Sequence, residues 1–264
     1  MAFKHLEDSL VEGSSENLGK WLDFHSKLHE PTRTVFGYAL DIAAYLSSVN
    51  LSNEYAIFGG YAVLSHIMQE HGDDVAVGWR GSSDVDMGGS ARVLQAIKSG
   101  YQIKSCLQSP NIPDKATVKL TEEGEEECRI DFYCGDFNAR YGQSVNNTHF
   151  GVKMNVINPL YIISGKILTH VDESQHIEDI LAMLNVLERR EVTPKDIVGG
   201  LGHAYLSGFS DRLGIGKDQM KTRRFGFTPS PKFLNGLLRE AHKRRNIPHP
   251  SSDGGNLDSS AFIS

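Results

Sequence analysis

Cysteine is scarce: Cys106, Cys128 and Cys134 are the only three, and none lies in a CxxC pair. An odd, scattered set argues against a disulfide framework and reads as reduced thiols of a cytoplasmic protein. Long apolar runs are also missing. No stretch is long enough to span a bilayer, and the opening MAFKHLEDSLVEG has no apolar core of the kind a secretory signal carries, so no membrane partner is expected. Positive charge is not in excess. Lys and Arg total 27 against 33 Asp and Glu, a net charge of −6, so any polyanion would have to be held by a local basic patch. His170 and His176 lie near each other but have no Cys or His partner that would complete a zinc set. No internal repeat is found.

What is present is the composition of a soluble globular protein, 39% hydrophobic and 23% charged over 264 residues, enough for a substantial core. From Ser14 to Asn50 the apolar spacing predicts two helices, capped at Ser14 or Ser15 and separated at Pro31. Tyr55 to Phe58 reads as a short strand ending in Gly59-Gly60, followed by a helix over Tyr61 to Gln69. Ser83 to Met87 is a strand candidate, Ala91 to Ser99 a helix, and Tyr101 to Leu107 a strand. Ala116 to Leu120 and Cys128 to Tyr133 form the arms of a hairpin around an acidic turn, Thr121 to Glu127. Val152 to Ile157 is the last strand. Beyond Pro159 helical patterns take over, at Leu160 to Val171, Gln175 to Arg190, Pro194 to Leu206 and Pro231 to Arg245. The division expected is a mixed α/β part over residues 1–158, a helical part over 159–247, and a Ser-, Gly- and Pro-rich tail over 248–264.

The chemistry gathers around Asp84 and Asp86. Residues two apart on a strand share a face, and two neighbouring carboxylates repel unless a cation lies between them. Mg²⁺ or Mn²⁺ suits that position, because such ions take one or two carboxylates and complete their shell with phosphate and water. A DxD pair alone is weak, since surface turns carry it as well. The context adds to it. Gly59-Gly60, between a strand and a helix, lets backbone N–H groups approach phosphate closely. Asp131 is an acid within an apolar strand, on the face shared by Arg129 and Tyr133. It needs a partner, which is either a cation across the sheet or, beside Asp84 and Asp86, a metal or the proton of an attacking hydroxyl.

Gly59-Gly60, then Arg80-Gly-Ser82-Ser83-Asp84-Val-Asp86, then Asp131, resembles the polymerase-β-type nucleotidyltransferase superfamily. The Arg-x-Ser-x-Asp-x-Asp form is similar to the AbiEii-type toxin nucleotidyltransferases in particular. The resemblance spans roughly residues 55–184. It implies an α/β (α+β) fold, a mixed sheet with flanking helices and a helical C-terminal part. It also implies transfer of a nucleoside monophosphate from an NTP to an acceptor hydroxyl. Asp84, Asp86 and Asp131 would be the metal ligands, and Gly59, Gly60, Arg80, Ser82 and Ser83 would line the nucleotide. Lys166 and Asp179 match the family's C-terminal lysine and aspartate, the first facing triphosphate and the second orienting it or accepting a proton. Ala182 stands where the family carries a further acid, and Glu178 where a basic residue is common.

The family also implies a toxin role with a cognate antitoxin, and tRNA as the first acceptor to consider. The basic clusters Lys221, Arg223, Arg224 and Lys243, Arg244, Arg245 are then candidate RNA contacts, or else solvated surface. Three other readings stand beside this one. They are an aminoglycoside or lincosamide adenylyltransferase, a protein nucleotidylating enzyme, and a degenerate fold that only binds.

Overall fold

The computed structural model describes residues 3–30, 32–79, 81–121, 128–135, 144–168, 174–202, 205–222 and 226–246. Its contacts divide the chain into two units, residues 1–158 and the part that begins at Pro159.

The first unit opens with helices α1 (Lys4–Gly13), α2 (Ser15–Lys27) and α3 (Thr32–Ser48). Strand β1 (Tyr55–Phe58) leads into α4 (Gly59–His71), a 3₁₀ turn (Asp73–Gly78) and β2 (Val85–Gly89). Then come α5 (Ala91–Gly100), β3 (Ile103–Gln108), β4 (Lys115–Leu120), β5 (Cys128–Cys134), β6 (Ser144–His149) and β7 (Val152–Ile157). The seven strands form one sheet in the order β3-β4-β5-β2-β1-β7-β6. Pairs β1/β7 and β2/β5 are parallel and the others antiparallel, so the sheet is mixed. With the helices around it, this is the α/β class the sequence implied.

The core is built where strand alternation meets helical stripes. Val85, Met87, Val118, Ile130, Phe132, Met154 and Val156 are fully buried, as are Phe36, Leu40, Val63, Ile67, Val93 and Ile97 from the helices. The Ser14 hydroxyl accepts the N–H groups of Glu16 and Asn17 at 3.1 and 3.4 Å, an N-cap that starts α2 where the sequence reading put it. Helix α1 was not anticipated. Its apolar stripe is short, and Leu6 and Leu10 are buried where α1 packs on α3 and α2. Asp41, a buried acid in α3, holds that junction together. It accepts the Leu6 N–H at 2.7 Å and the Tyr101 hydroxyl at 2.6 Å, so each carboxylate oxygen is hydrogen-bonded inside the core. Burial, reinforced by Asp41, pushes the Tyr101 hydroxyl well above the ordinary tyrosine range.

Strand β6 was also missed, because Ser-Val-Asn-Asn-Thr-His lacks an apolar alternation. Its buried polar groups find partners on α4 instead. Asn147 donates to the Ser65 hydroxyl at 2.9 Å and to His66 Nδ1 at 3.3 Å. His66 Nε2 donates to the Ile157 carbonyl, and the Ser65 hydroxyl pairs with His149 Nε2, both at 2.8 Å. Each member is bonded, which is the condition for burying such a network.

The second unit is helical among its described residues: α6 (Pro159–Leu168), α7 (Ser174–Arg189), α8 (Pro194–Gly200), α9 (Leu206–Thr222) and α10 (Pro231–Arg245). Thr193 and Ser230 cap α8 and α10, each followed by a proline in the first turn. The helix expected over Pro194–Leu206 stops at Gly200, and α9 had no counterpart in the sequence reading. Its glycines at 208, 214 and 216 weaken the local helix signal. Tertiary packing overrides it: Phe209 and Leu213 are buried, and a side chain on Gly216 would press on Ile177 of α7. No helix among the described residues is long and apolar enough to cross a membrane.

Candidate active site

The site forms in the first unit, where registry does what sequence spacing could not. Phe58 lies opposite Asp86, Asp86 opposite Asp131, and Asp131 opposite Thr117. Directly paired residues share a face, so these four form one row across β1, β2, β5 and β4. The intervening positions, Val85, Met87, Ile130 and Phe132, point into the core. Lys115 and Tyr133 sit one step along the polar face, paired with each other.

Asp86 lies within β2 and Asp84 lies just before it, one residue outside the strand. The pairing with β5 begins only at Val85, and Ser82 donates its hydroxyl to the Asp84 carbonyl at 3.0 Å, holding the approach as a turn. Both carboxylates are half-buried; Ser82 is half-buried and Ser83 exposed. Arg80 lies outside the described residues.

Gly59 begins α4 at φ +67°, in the left-handed region. A Cβ there would stand 2.0 Å from Asp86 Oδ2 and 2.8 Å from its Cγ. The Asp86 carboxylate therefore lies directly against the backbone of the strand-to-helix turn. The N-cap of α4 is Phe58, whose side chain makes no capping bond, so the positive end of the helix dipole lies beside that carboxylate. The Phe58 ring meets the Tyr133 ring at 5.3 Å between centroids and walls the same face.

Asp131 is 4% exposed. Its Oδ1 accepts the Thr117 hydroxyl at 2.9 Å and Arg129 Nε at 3.0 Å. Its Oδ2 accepts Arg129 Nη2 at 2.8 Å and Lys115 Nζ at 2.7 Å. Burial raises the Asp131 carboxyl, but the bonds from Arg129, Lys115 and Thr117 outweigh it and hold it below the ordinary aspartate range. Burial lowers Lys115, and its bonds to Asp131 and Tyr133 more than reverse that. The bond to Asp131 raises Arg129, with further help from the charges of Asp84 and Asp86. Of the two partners open to Asp131 from sequence, cations across and along the sheet occupy it here. Arg129 shares its face by alternation, a feature visible in the sequence. Lys115 and Thr117 were missed, because only the β4/β5 register brings them to it. Cys128, next to Arg129 in the chain, is buried, and its thiol is pushed up by that burial and by Asp84.

In the second unit Lys166 on α6 and Asp179 on α7 form an ion pair at 2.8 Å, with Asp179 fully buried. Arg244 and Arg245 end α10, where Arg244 donates to the Val198 carbonyl at 3.1 Å and Arg245 is exposed. Arg223, Arg224, His170 and the acidic turn at 122–127 lie outside the described residues.

The residues present fit a divalent cation. Asp84 and Asp86 supply two half-buried carboxylates, and the missing side chain at Gly59 is what lets the Asp86 carboxylate lie against the strand-to-helix turn. Among the described residues no group of three or more His, Cys, Asp or Glu could form an all-protein cage. Two carboxylates are the number Mg²⁺ takes when substrate phosphates complete its shell.

No protein-family model matches the chain, and no curated protein matches it in sequence. Among solved structures it is similar to an antigenic nucleotidyltransferase-like protein from Paracoccidioides brasiliensis. That match is at 17% identity and a TM-score of 0.47, covering 77% of this chain and 97% of that one. It is also similar to the Megavirus polyadenylate synthase, at 12% identity and a TM-score of 0.30, covering 78% of this chain and 44% of that one.

Proposed function

We propose that the protein is a metal-dependent nucleotidyltransferase that moves a nucleoside monophosphate from an NTP to an acceptor hydroxyl, releasing pyrophosphate. The observation that carries this reading is the contact of Asp86 with Gly59: a carboxylate set against a glycine turn at a helix N-terminus, with Asp84 two residues before it in the chain. Asp84 and Asp86 would hold Mg²⁺ or Mn²⁺, which would neutralise the polyphosphate and stabilise the leaving pyrophosphate. The Gly59-Gly60 turn admits phosphate oxygens to backbone N–H groups, and Ser82 and Ser83 flank the same approach. Phe58 and Tyr133 supply an aromatic wall on this face. In the second unit Lys166, oriented by Asp179, is the counterpart of the family's lysine, and its replacement by Ala is proposed to weaken NTP use.

The acceptor is proposed to be RNA, with tRNA first, and the role that of a toxin countered by a cognate antitoxin. The resemblance of Arg80 to Asp86 to the AbiEii-type signature supports this, and Arg223, Arg224, Arg244 and Arg245 are the proposed RNA contacts. The test is incubation with each labelled NTP, Mg²⁺ and total cellular RNA. Label should appear in an RNA fraction and vanish in Asp84→Asn, in Asp86→Asn and with excess chelator, while both variants stay folded. Label on a cationic drug or on a protein would move the acceptor to those readings. Full activity of either Asn variant would end the mechanism.

A further inference from the structure

Asp131 is committed on every side. An ionised carboxylate offers about four acceptor positions, and four donor bonds reach this one, from Thr117, Arg129 Nε, Arg129 Nη2 and Lys115. A metal ion could join it only by displacing one of those donors, three of which come from cationic side chains. The three charged groups sum to +1, two cations less one carboxylate, so the cluster presents positive charge toward Asp84 and Asp86.

The two cations are held differently. Lys115 is 18% exposed and lies 5.0 Å from the centroid of the Tyr133 ring, packed as a buttress. Arg129 is 48% exposed. Its bidentate grip on Asp131 uses two of the five guanidinium donors, and fixing an arginine this way leaves the other three pre-oriented for a second anion. Its place is set by the parallel pairing of Val85 with Ile130: Arg129 precedes Ile130 as Asp84 precedes Val85.

We propose that Arg129 is a polyphosphate-binding residue of this site and that Asp131 is a positioning residue which holds it, rather than a metal ligand. The proposal rests on the nucleotidyltransferase reading above. Asp84 and Asp86 would then hold the metal by themselves, and Arg129, fixed in place beforehand, would take phosphate oxygens on the same sheet face. Such a fixed fork loses little entropy when it binds.

The test uses the full chain with two probes, Mn²⁺ followed by electron paramagnetic resonance and inorganic tripolyphosphate with Mg²⁺ followed by calorimetry. Arg129→Met should weaken tripolyphosphate binding about 10- to 100-fold, the worth of one or two charge-assisted hydrogen bonds. Arg129→Lys should recover part of that loss. Asp131→Asn should leave Mn²⁺ affinity within about threefold of wild type while weakening tripolyphosphate, and Asp86→Asn should lose Mn²⁺. In turnover, Arg129→Met should raise KM for NTP more than it lowers kcat. Loss of Mn²⁺ in Asp131→Asn to the extent seen in Asp86→Asn would make Asp131 a ligand and overturn the proposal. Wild-type tripolyphosphate affinity in Arg129→Met would overturn it as well, and that variant, at a half-exposed strand position, decides the matter should Asp131→Asn fail to fold. A wild-type chain that binds neither probe would instead end the nucleotidyltransferase reading on which the proposal stands.

Discussion

Replacing Gly59 with alanine tests the geometry of the site at its tightest point. The substitution adds one methyl group and has two separable costs. The first is conformational: φ of +67° lies where an L side chain costs about 1–2 kcal/mol. The second is steric, since the new Cβ would stand 2.0 Å from Asp86 Oδ2. Something must move, and the atom in the way is the end of a side chain, so the carboxylate should rotate aside rather than the sheet deform. The added stability cost should therefore be small, about 1 kcal/mol. Together the two terms come to about 2–3 kcal/mol, a fall of roughly 5–10 °C in Tm for a unit of this size. The functional cost should be of similar size in free energy and is read separately as rate, because a misplacement of about 1 Å at a reacting centre can cost about 10²-fold.

Thermal denaturation and NTP turnover together give the readout, with two comparisons. Gly72→Ala has a positive φ of +96° but open space around its Cβ. It should lose stability by strain alone and keep its activity. In an Asp86→Ala background the contacts to Oδ2 and Cγ disappear and only the Cβ contact at 3.0 Å remains, so Gly59→Ala should then cost little beyond its strain of about 1–2 kcal/mol. An equal cost in both backgrounds, or near wild-type turnover in Gly59→Ala, would refute the placement of Asp86 against this turn.

Three further outcomes follow from the same geometry. Asp179→Ala removes the buried partner of Lys166 and should destabilise the second unit by about 3 kcal/mol; an unchanged urea midpoint would count against the pair. Asn147→Leu takes a donor from the buried Ser65 and His66 and should cost about 2 kcal/mol in denaturant titration, whereas a neutral result would mean the network is dispensable. Arg245→Glu, at an exposed position, should weaken RNA labelling and flatten its dependence on salt without changing NTP affinity, and labelling that ignores both salt and charge would remove this helix end from the RNA surface.

Much of the fold was readable along the chain. The Ser14 cap, the strands at Tyr55, Cys128 and Val152, and the helix over Pro231–Arg245 all announce themselves by local alternation, spacing or capping. Elements whose stability comes from elsewhere were silent. Helix α1 offers too short a stripe until α3 covers it, β6 is polar until α4 satisfies its Asn147 and His149, and α9 carries glycines of which Gly216 makes sense only against α7 and Gly208 only against α6. The candidate site divides in the same way. Its carboxylates and glycines were visible because DxD and Gly-Gly are local patterns, and strand alternation already placed Arg129 on the face of Asp131. Which cations occupy Asp131 was decided by tertiary structure, because strand pairing joins residues far apart in sequence and its register selects Lys115 and Thr117 rather than their neighbours.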